Sequence, residues 1–389
     1  MDDGPGPAPL RPLPRSLDPI AGEGLGGYLL RLSWRLRVSP LHLARLTGCV
    51  SDGPAVIRRR LLLDLDVQRF AQATRLSAGE ASSLAAASWA DRYPPIARSR
   101  TRPDRPIVLD GWLFSTSNRY CPDCLAGDGS PVQQQYGGPW KKTWHLPVTF
   151  ACLQHQRFLR EGCPQAHPGS PAPWELIAFP SASGLHPAQC RLPLKAGRTA
   201  RRRPSCGIRL DQPGEDDLPR PSPGTLDAQQ SLLALLSPQH PAEDAARAFT
   251  DLRVISALLC MSWPLGQDLM DSRPAAAVSE HVRRLGAGFR QSLDRQPGSV
   301  LATAGLLTAA AAVRGSADLE GTLARHAQPR RPGSPSQSWA RVLGRHQSAC
   351  SAALREAALP LVTGPRRING LQAEAENAPR RPRHRIQPW

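Results

Sequence analysis

The reading turns on Cys121-Pro122-Asp123-Cys124, answered downstream by Cys152-Leu153-Gln154-His155, with 27 residues between the two halves. Each half sets two soft donors two residues apart, so one tight turn can aim both at a single ion. Four N/S donors in two knuckles make a closed tetrahedral centre of the kind zinc takes, with Zn–S bonds of about 2.3 Å and no open position for water. Such a centre organises a fold and performs no reaction. The plain alternative is unbridged core thiols beside a surface histidine, and two ordered pairs of this spacing seldom arise by chance. A looser group follows: Cys163-Pro164-Gln165-Ala166-His167, then His186, Cys190 and Cys206. Three cysteines with His167 or His186 would complete a second zinc site. The spacing leaves the fourth ligand open, and a degenerate site is the alternative.

The chain has nine cysteines, an odd number in clusters, which points to metal and away from disulfides. Cys49, Cys260 and Cys350 stand alone in apolar helical contexts and read as core residues. The first twenty residues are Pro-rich and lack the apolar centre of a secretory leader, and no run of 18 apolar residues occurs. The expectation is a cytoplasmic, nucleoid-associated protein with no membrane partner. A length of 389 residues allows two or three domains and a real core. The formal charge of +17 and pI near 10.6 fit a polyanionic partner such as duplex DNA. Only Lys141, Lys142 and Lys195 among the 49 basic residues are lysine, so part of that charge reflects a coding bias toward arginine.

Outward from the cysteines the chain reads as mostly α with small zinc-ribbon-like β elements. An extended segment covers 1–23, a helical module resembling a helix-turn-helix 24–118, a zinc-finger module 119–210, and a Pro/Asp/Gly-rich linker 211–224. A helical C-terminal region follows over 225–370, and a basic tail over 371–389. In the first module Leu25, Tyr28, Leu29, Leu32 and Leu36 fall at helical spacing. Ser39 then stands where an N-cap belongs, with Pro40 at the first helical position and Leu43, Ala44 and Leu46 carrying an apolar face. This pair is either plain helical packing or a reader of nucleic acid or of a partner protein, with His42 and Arg45 on its exposed face. Scattered Arg31, Arg35 and Arg45 fall short of a groove reader's basic stripe, which favours protein docking. A second pair has Val67, Phe70 and Ala71 on one face, followed by a Ser77/Glu80 capping box opening a helix through Leu84 to Trp89. Residues 91–118 read as loop with extended pieces at Ile107-Val108-Leu109 and Trp112-Leu113-Phe114, and Thr143 to Ala151 as a β-like run. C-terminal helices are expected over Leu226–Leu236, Glu243–Leu259, Val278–Phe289, Val300–Val313 and Trp339–Leu359.

At these residues the chain resembles the TniQ family of transposition accessory proteins. The resemblance runs from Arg11-Pro12-Leu13-Pro14 through the Leu-rich helix at Gly27–Ser33 and the Ser39-Pro40 helix to the Cys121–Cys124 knuckle. It continues through Trp144-His145-Leu146-Pro147, Cys152, His155, Phe158 and Leu159, ends at Cys163-Pro164 with the later cysteines, and so spans about 11–210. The chain departs from the family pattern where Ala166, beside His167, stands three residues after Cys163 in place of a cysteine. The acidic residue and Ser-Trp of the first helix are softened to Glu23 and Gly27-Tyr28. The resemblance implies an adaptor: a helical and zinc-finger module contacting the transposon's AAA+ ATPase regulator, other surface on target DNA or a complex bound to it, and a transposase as a further candidate partner. A homodimer is left open. The other function class that fits is a zinc-containing helix-turn-helix transcription regulator.

Enzyme signatures are weak. Gly22-Glu23-Gly24-Leu25-Gly26-Gly27 satisfies G-x-G-x-x-G, but no strand-like run precedes it, and the chain has no Gly-Lys dipeptide for a P-loop. Neither H-E-x-x-H nor G-x-S-x-G occurs. A helical C-terminal half also lacks the strands of an RNase H-like core, so a non-enzyme is expected.

Overall fold

The computed structural model of the chain describes residues 11–49, 65–100, 110–115, 117–165, 184–192, 205–212, 218–285, 296–326 and 335–363. Within them the protein is mostly helical, with two small antiparallel strand pairs around the first cysteine group. Helix α1 (Leu25–Leu36) starts at Gly24 and stops where Arg37 turns left-handed at φ 55°. Its Leu25, Tyr28, Leu29 and Leu32 are buried, and at Gly27 a Cβ would stand 2.8 Å from the Cβ of Trp140. The glycines of the G-x-G-x-x-G stretch therefore start a helix and let it lie close against the cysteine region. Helix α2 (Pro40–Leu46) opens as expected: the Ser39 hydroxyl accepts from the His42 N–H at 3.2 Å.

Helices α3 (Val67–Thr74) and α4 (Ala78–Ser83) follow, the second opened by the Ser77/Glu80 capping box, with bonds of 3.2 and 2.8 Å in its two directions. The expected continuation to Trp89 breaks at an extended Ala85, and Ala86–Trp89 is a separate 3₁₀ turn. The Lys142 ammonium supplies the cause, since it takes the carbonyls of Ser83 and Ala85 at 2.7 and 3.2 Å. Where loop was expected, Pro94–Arg100 forms α5, its prolines at positions where a missing N–H costs nothing. Trp112-Leu113-Phe114 is a turn and not extended chain, because Asp110 accepts the Trp112 N–H on its side chain and the Leu113 N–H on its carbonyl. Ile107-Val108-Leu109 lies outside the described residues.

Strand β1 (Arg119–Tyr120) pairs with β4 (Arg160–Glu161), and β2 (Ala151–Cys152) with β3 (Arg157–Phe158). Short helices α6 (Pro122–Ala126) and α7 (Pro131–Tyr136) lie between β1 and β2. The β-like reading of Thr143 to Ala151 is corrected: Lys142–His145 is a 3₁₀ turn, and only Ala151 joins a strand. The alternating Trp144, Leu146, Val148 and Phe150 are all buried, but their backbone is served by side chains. Arg119 donates to the carbonyls of Pro147 and Thr149 at 2.9 and 3.0 Å, and the Gln229 carbonyl oxygen accepts from the N–H groups of Phe150 and Ala151 at 2.7 and 2.9 Å.

The C-terminal half holds α8 (Pro223–Ala234), α9 (Ala242–Met261), α10 (Ser272–Leu285), α11 (Val300–Arg314), α12 (Leu319–His326), α13 (Pro335–His346) and α14 (Ala352–Thr363). Helix α12 was not foreseen. The single helix expected over Trp339–Leu359 is two helices, split where the Ser351 N–H donates to Asp251 at 2.9 Å and the Ser351 hydroxyl caps Leu354 at 3.2 Å. Helices α9 and α11 lie at the centre, burying Leu252, Ile255, Leu258, Leu306, Leu307 and Val313. One continuous buried cluster runs from Leu13 to Ala358. Arg119 reaches Thr303 at 3.0 Å, and the Glu161 carboxylate accepts from the Val300 N–H at the start of α11 at 2.8 Å, so the C-terminal helices sit directly on the cysteine region.

Candidate metal centre

The first knuckle forms because Cys121 caps a helix of one and a half turns. Pro122 takes its first position, the Leu125 N–H returns to the Cys121 carbonyl at 3.1 Å, and Gly127 ends it at φ 96°. Gly138 then passes so close that a Cβ there would stand 2.1 Å from the Cys124 carbonyl oxygen. Only glycine fits at that crossing. The second knuckle is the β2–β3 turn, in which Cys152 pairs with Arg157 and Gln156 adopts φ 47°. Arg157 also binds Asp123 inside the first knuckle at 2.7 Å, joining the two halves.

These turns bring Cys121, Cys124, Cys152 and His155 together, with all four donor atoms within 4.8 Å of one another. His155 Nδ1 stands 3.4, 3.3 and 3.5 Å from the sulfurs of Cys121, Cys124 and Cys152, and the Cys124 and Cys152 sulfurs are 3.6 Å apart. Ligands at about 2.3 Å (S) and about 2.0 Å (N) from a tetrahedral ion stand roughly 3.5 Å (S to N) and roughly 3.8 Å (S to S) apart, and the edges of this group fall within about 0.2 Å of those values. It is far too open for a disulfide, whose bond is about 2.05 Å. Electrostatics agree. Hydrogen bonds from Cys121 and Cys124 pull the Cys152 thiol well down, while its bonds to Cys121 and Cys152 drive the Cys124 thiol up. Three ionised thiolates this close repel one another, and a divalent ion is what would let all three ionise.

The second group is Cys163, Cys190 and Cys206, again within 4.8 Å, with the Cys163 and Cys206 sulfurs 3.8 Å apart. Antiparallel backbone bonds set it up: Cys190 N–H to Ile208, Gly207 N–H to Cys190, and Cys206 N–H to Leu192. Burial raises the Cys163 and Cys190 thiols. His186 is not brought there. Its ring packs edge-on to Trp34 at 5.7 Å, and its Nδ1 accepts from the Ala188 N–H. His167 lies outside the described residues, and among those described no fourth His, Cys or carboxylate joins the three sulfurs.

Cys49, Cys260 and Cys350 are buried core residues, as read. His42 and Arg45 are exposed on α2 beside an exposed Leu46, with Leu43 and Ala44 turned inward. Arg31, read as an exposed arginine of α1, is fully buried and pairs with an equally buried Glu23 at 2.8 Å. That pair escaped sequence reasoning because Glu23 precedes the helix, at no helical spacing from its partner. No helix among the described residues is long and apolar enough to cross a membrane.

A mostly helical body with a Cys/His cluster of metal-binding geometry is what fold and site define together. Residues 14–159 match the TniQ family model, so the chain carries a TniQ domain over the stretch that holds α1, α2 and the whole first cluster. The match supports a transposition-associated protein, the TniQ family being one of non-catalytic transposition accessory proteins. No curated protein and no solved structure matches the chain.

Proposed function

We propose that this chain is an adaptor of DNA transposition, linking target DNA, or a complex bound to it, to the AAA+ ATPase regulator of a transposon. The observation that carries the reading is the TniQ match across a segment whose helices and Cys/His cluster form one packed body. In this reading Cys121, Cys124, Cys152 and His155 hold a structural zinc, and Cys163, Cys190, Cys206 and His167 hold a second. The metal supplies rigidity: it fixes the two knuckles so that β1, β4 and α11 have a firm seat. The division into a helical module to 118, a zinc module to 210 and a helical region from 225 is kept as a functional one, with packing continuous across it. Helix α2 presents His42 and Arg45 to the ATPase, and basic surface elsewhere contacts phosphate.

The test uses the full chain with duplex DNA and with the AAA+ regulator of the same transposon. Duplex affinity is expected to fall log-linearly with salt, with a slope of about 0.9 per phosphate neutralised. His42→Ala with Arg45→Ala is expected to abolish ATPase binding and leave duplex affinity unchanged. Duplex binding with no ATPase binding in any nucleotide state would overturn the adaptor in favour of a transcription regulator. Loss of duplex affinity alone in the double variant would make α2 a groove reader.

A further inference from the structure

Where α1 ends, a groove of about 790 Å³ opens between the N-terminal segment, the α1–α2 turn, the end of α7 and residues 184–185. Its lining includes Arg15, Arg35 and Arg37 and, among the described residues, no carboxylate. Arg15 and Arg37 are exposed. Arg35 lies over the Tyr136 ring at 5.0 Å, and its Nε is buried with no hydrogen-bond partner among the described residues. A guanidinium held over an aromatic ring is restrained in place, which favours capture of a carboxylate or phosphate. Pro14, Leu36, Val38 and Leu185 add aliphatic surface to the lining, beside Ser33 and Gln135.

We propose that this groove docks an acidic, leucine-containing peptide segment of a partner protein. Three arginines unopposed by any lining carboxylate among the described residues call for an anionic occupant. The aliphatic part of the lining favours one, because a phosphodiester strand offers nothing to bury on Leu36, Val38 and Leu185 except its bases. Bases need open ring faces to stack on. Here Trp34 packs against His186 and spends its N–H on the Gln135 carbonyl at 3.0 Å, while Arg35 covers a face of Tyr136. Each ring thus has a contact within the fold, and the groove lining joins guanidinium groups to aliphatic surface. A peptide alternating Asp or Glu with Leu satisfies both. Its source, a component of the transposition machinery, rests on the adaptor reading; the groove chemistry does not.

The experiment titrates the full chain against a fluorescein-labelled peptide of about a dozen residues alternating Glu and Leu, and against a labelled oligothymidylate of similar length, by anisotropy. The peptide is expected to bind and to weaken as salt rises. Arg15→Glu with Arg37→Glu, both at exposed positions, is expected to weaken it at least about tenfold, or about 1.4 kcal/mol. Arg35→Gln, with folding checked by circular dichroism, is expected to weaken it as well. Failure of the peptide to bind the unaltered chain, or equal binding by the double variant, overturns the proposal. Oligothymidylate binding lost in the double variant while the peptide is ignored also overturns it, and makes the groove a nucleic-acid site. No ATPase enters this assay, so its failure is separable from failure of the adaptor reading, which the α2 variants test.

Discussion

Glu23 and Arg31 form a salt bridge with both side chains at zero exposure, and a second Glu23 oxygen and two Arg31 nitrogens have no partner among the described residues. Burial pushes the Glu23 carboxyl from 4.5 up to about 7, outweighing the pull of Arg31 and Lys141. A carboxyl whose folded pKa is raised stabilises below its unfolded pKa, and loses that contribution as pH rises through the folded value. Stability from Glu23 is thus expected to drain away between about pH 4.5 and about 7. Glu23→Gln cannot ionise. Denaturant unfolding of both proteins across that window should show the variant gaining relative to the unaltered chain, by at most about 3 kcal/mol. Parallel stability curves would contradict the burial of an ionisable carboxyl there. At this scale the sequence was legible wherever chemistry is local. Cys121, Cys124, Cys152 and His155 declare themselves because two-residue spacing forces each pair onto one turn. Glu23 does not, and neither does the seating of His186 against Trp34, which depends on a fold that places α1 next to residue 186.

Elements with their own start and stop signals were read almost to the residue. Helix α1 was expected from Gly24 to Leu36, and the Ser39-Pro40 and Ser77/Glu80 openings stand as written. Elements failed where a distant side chain serves the backbone. Thr143 to Ala151 has the alternation of a strand, yet Arg119 and Gln229 take the groups a neighbouring strand would have taken. The break at Ala85 belongs to Lys142, and the break at Ser351 to Asp251. None of these partners is near in sequence. The Gln229 amide gives this a measurable form. Gln229→Leu keeps the volume but strands the buried N–H groups of Phe150 and Ala151, each costing about 1–3 kcal/mol. The variant should therefore unfold at a clearly lower urea concentration. An unchanged midpoint would show that this link between α8 and the cysteine region is not energetic.

Across the whole molecule the helical character and the two-cluster layout were legible, because the apolar periodicity and the cysteine spacing carry them. The packing of the C-terminal helices was not, since it depends on Arg119, Glu161 and Gln229 meeting residues 70 or more positions away. That packing makes the clusters central: β1 and β4 flank the first of them and also hold the start of α11. A metal fixing Cys121, Cys124, Cys152 and His155 would therefore stiffen the body that, in the proposed reading, bridges DNA and ATPase, and removing it should loosen that body. The most direct test is elemental analysis of the full chain purified without chelator. Two zinc ions per chain are expected, one lost in Cys190→Ser and the other in Cys124→Ser. A folded chain with no stoichiometric zinc would contradict the account at its centre.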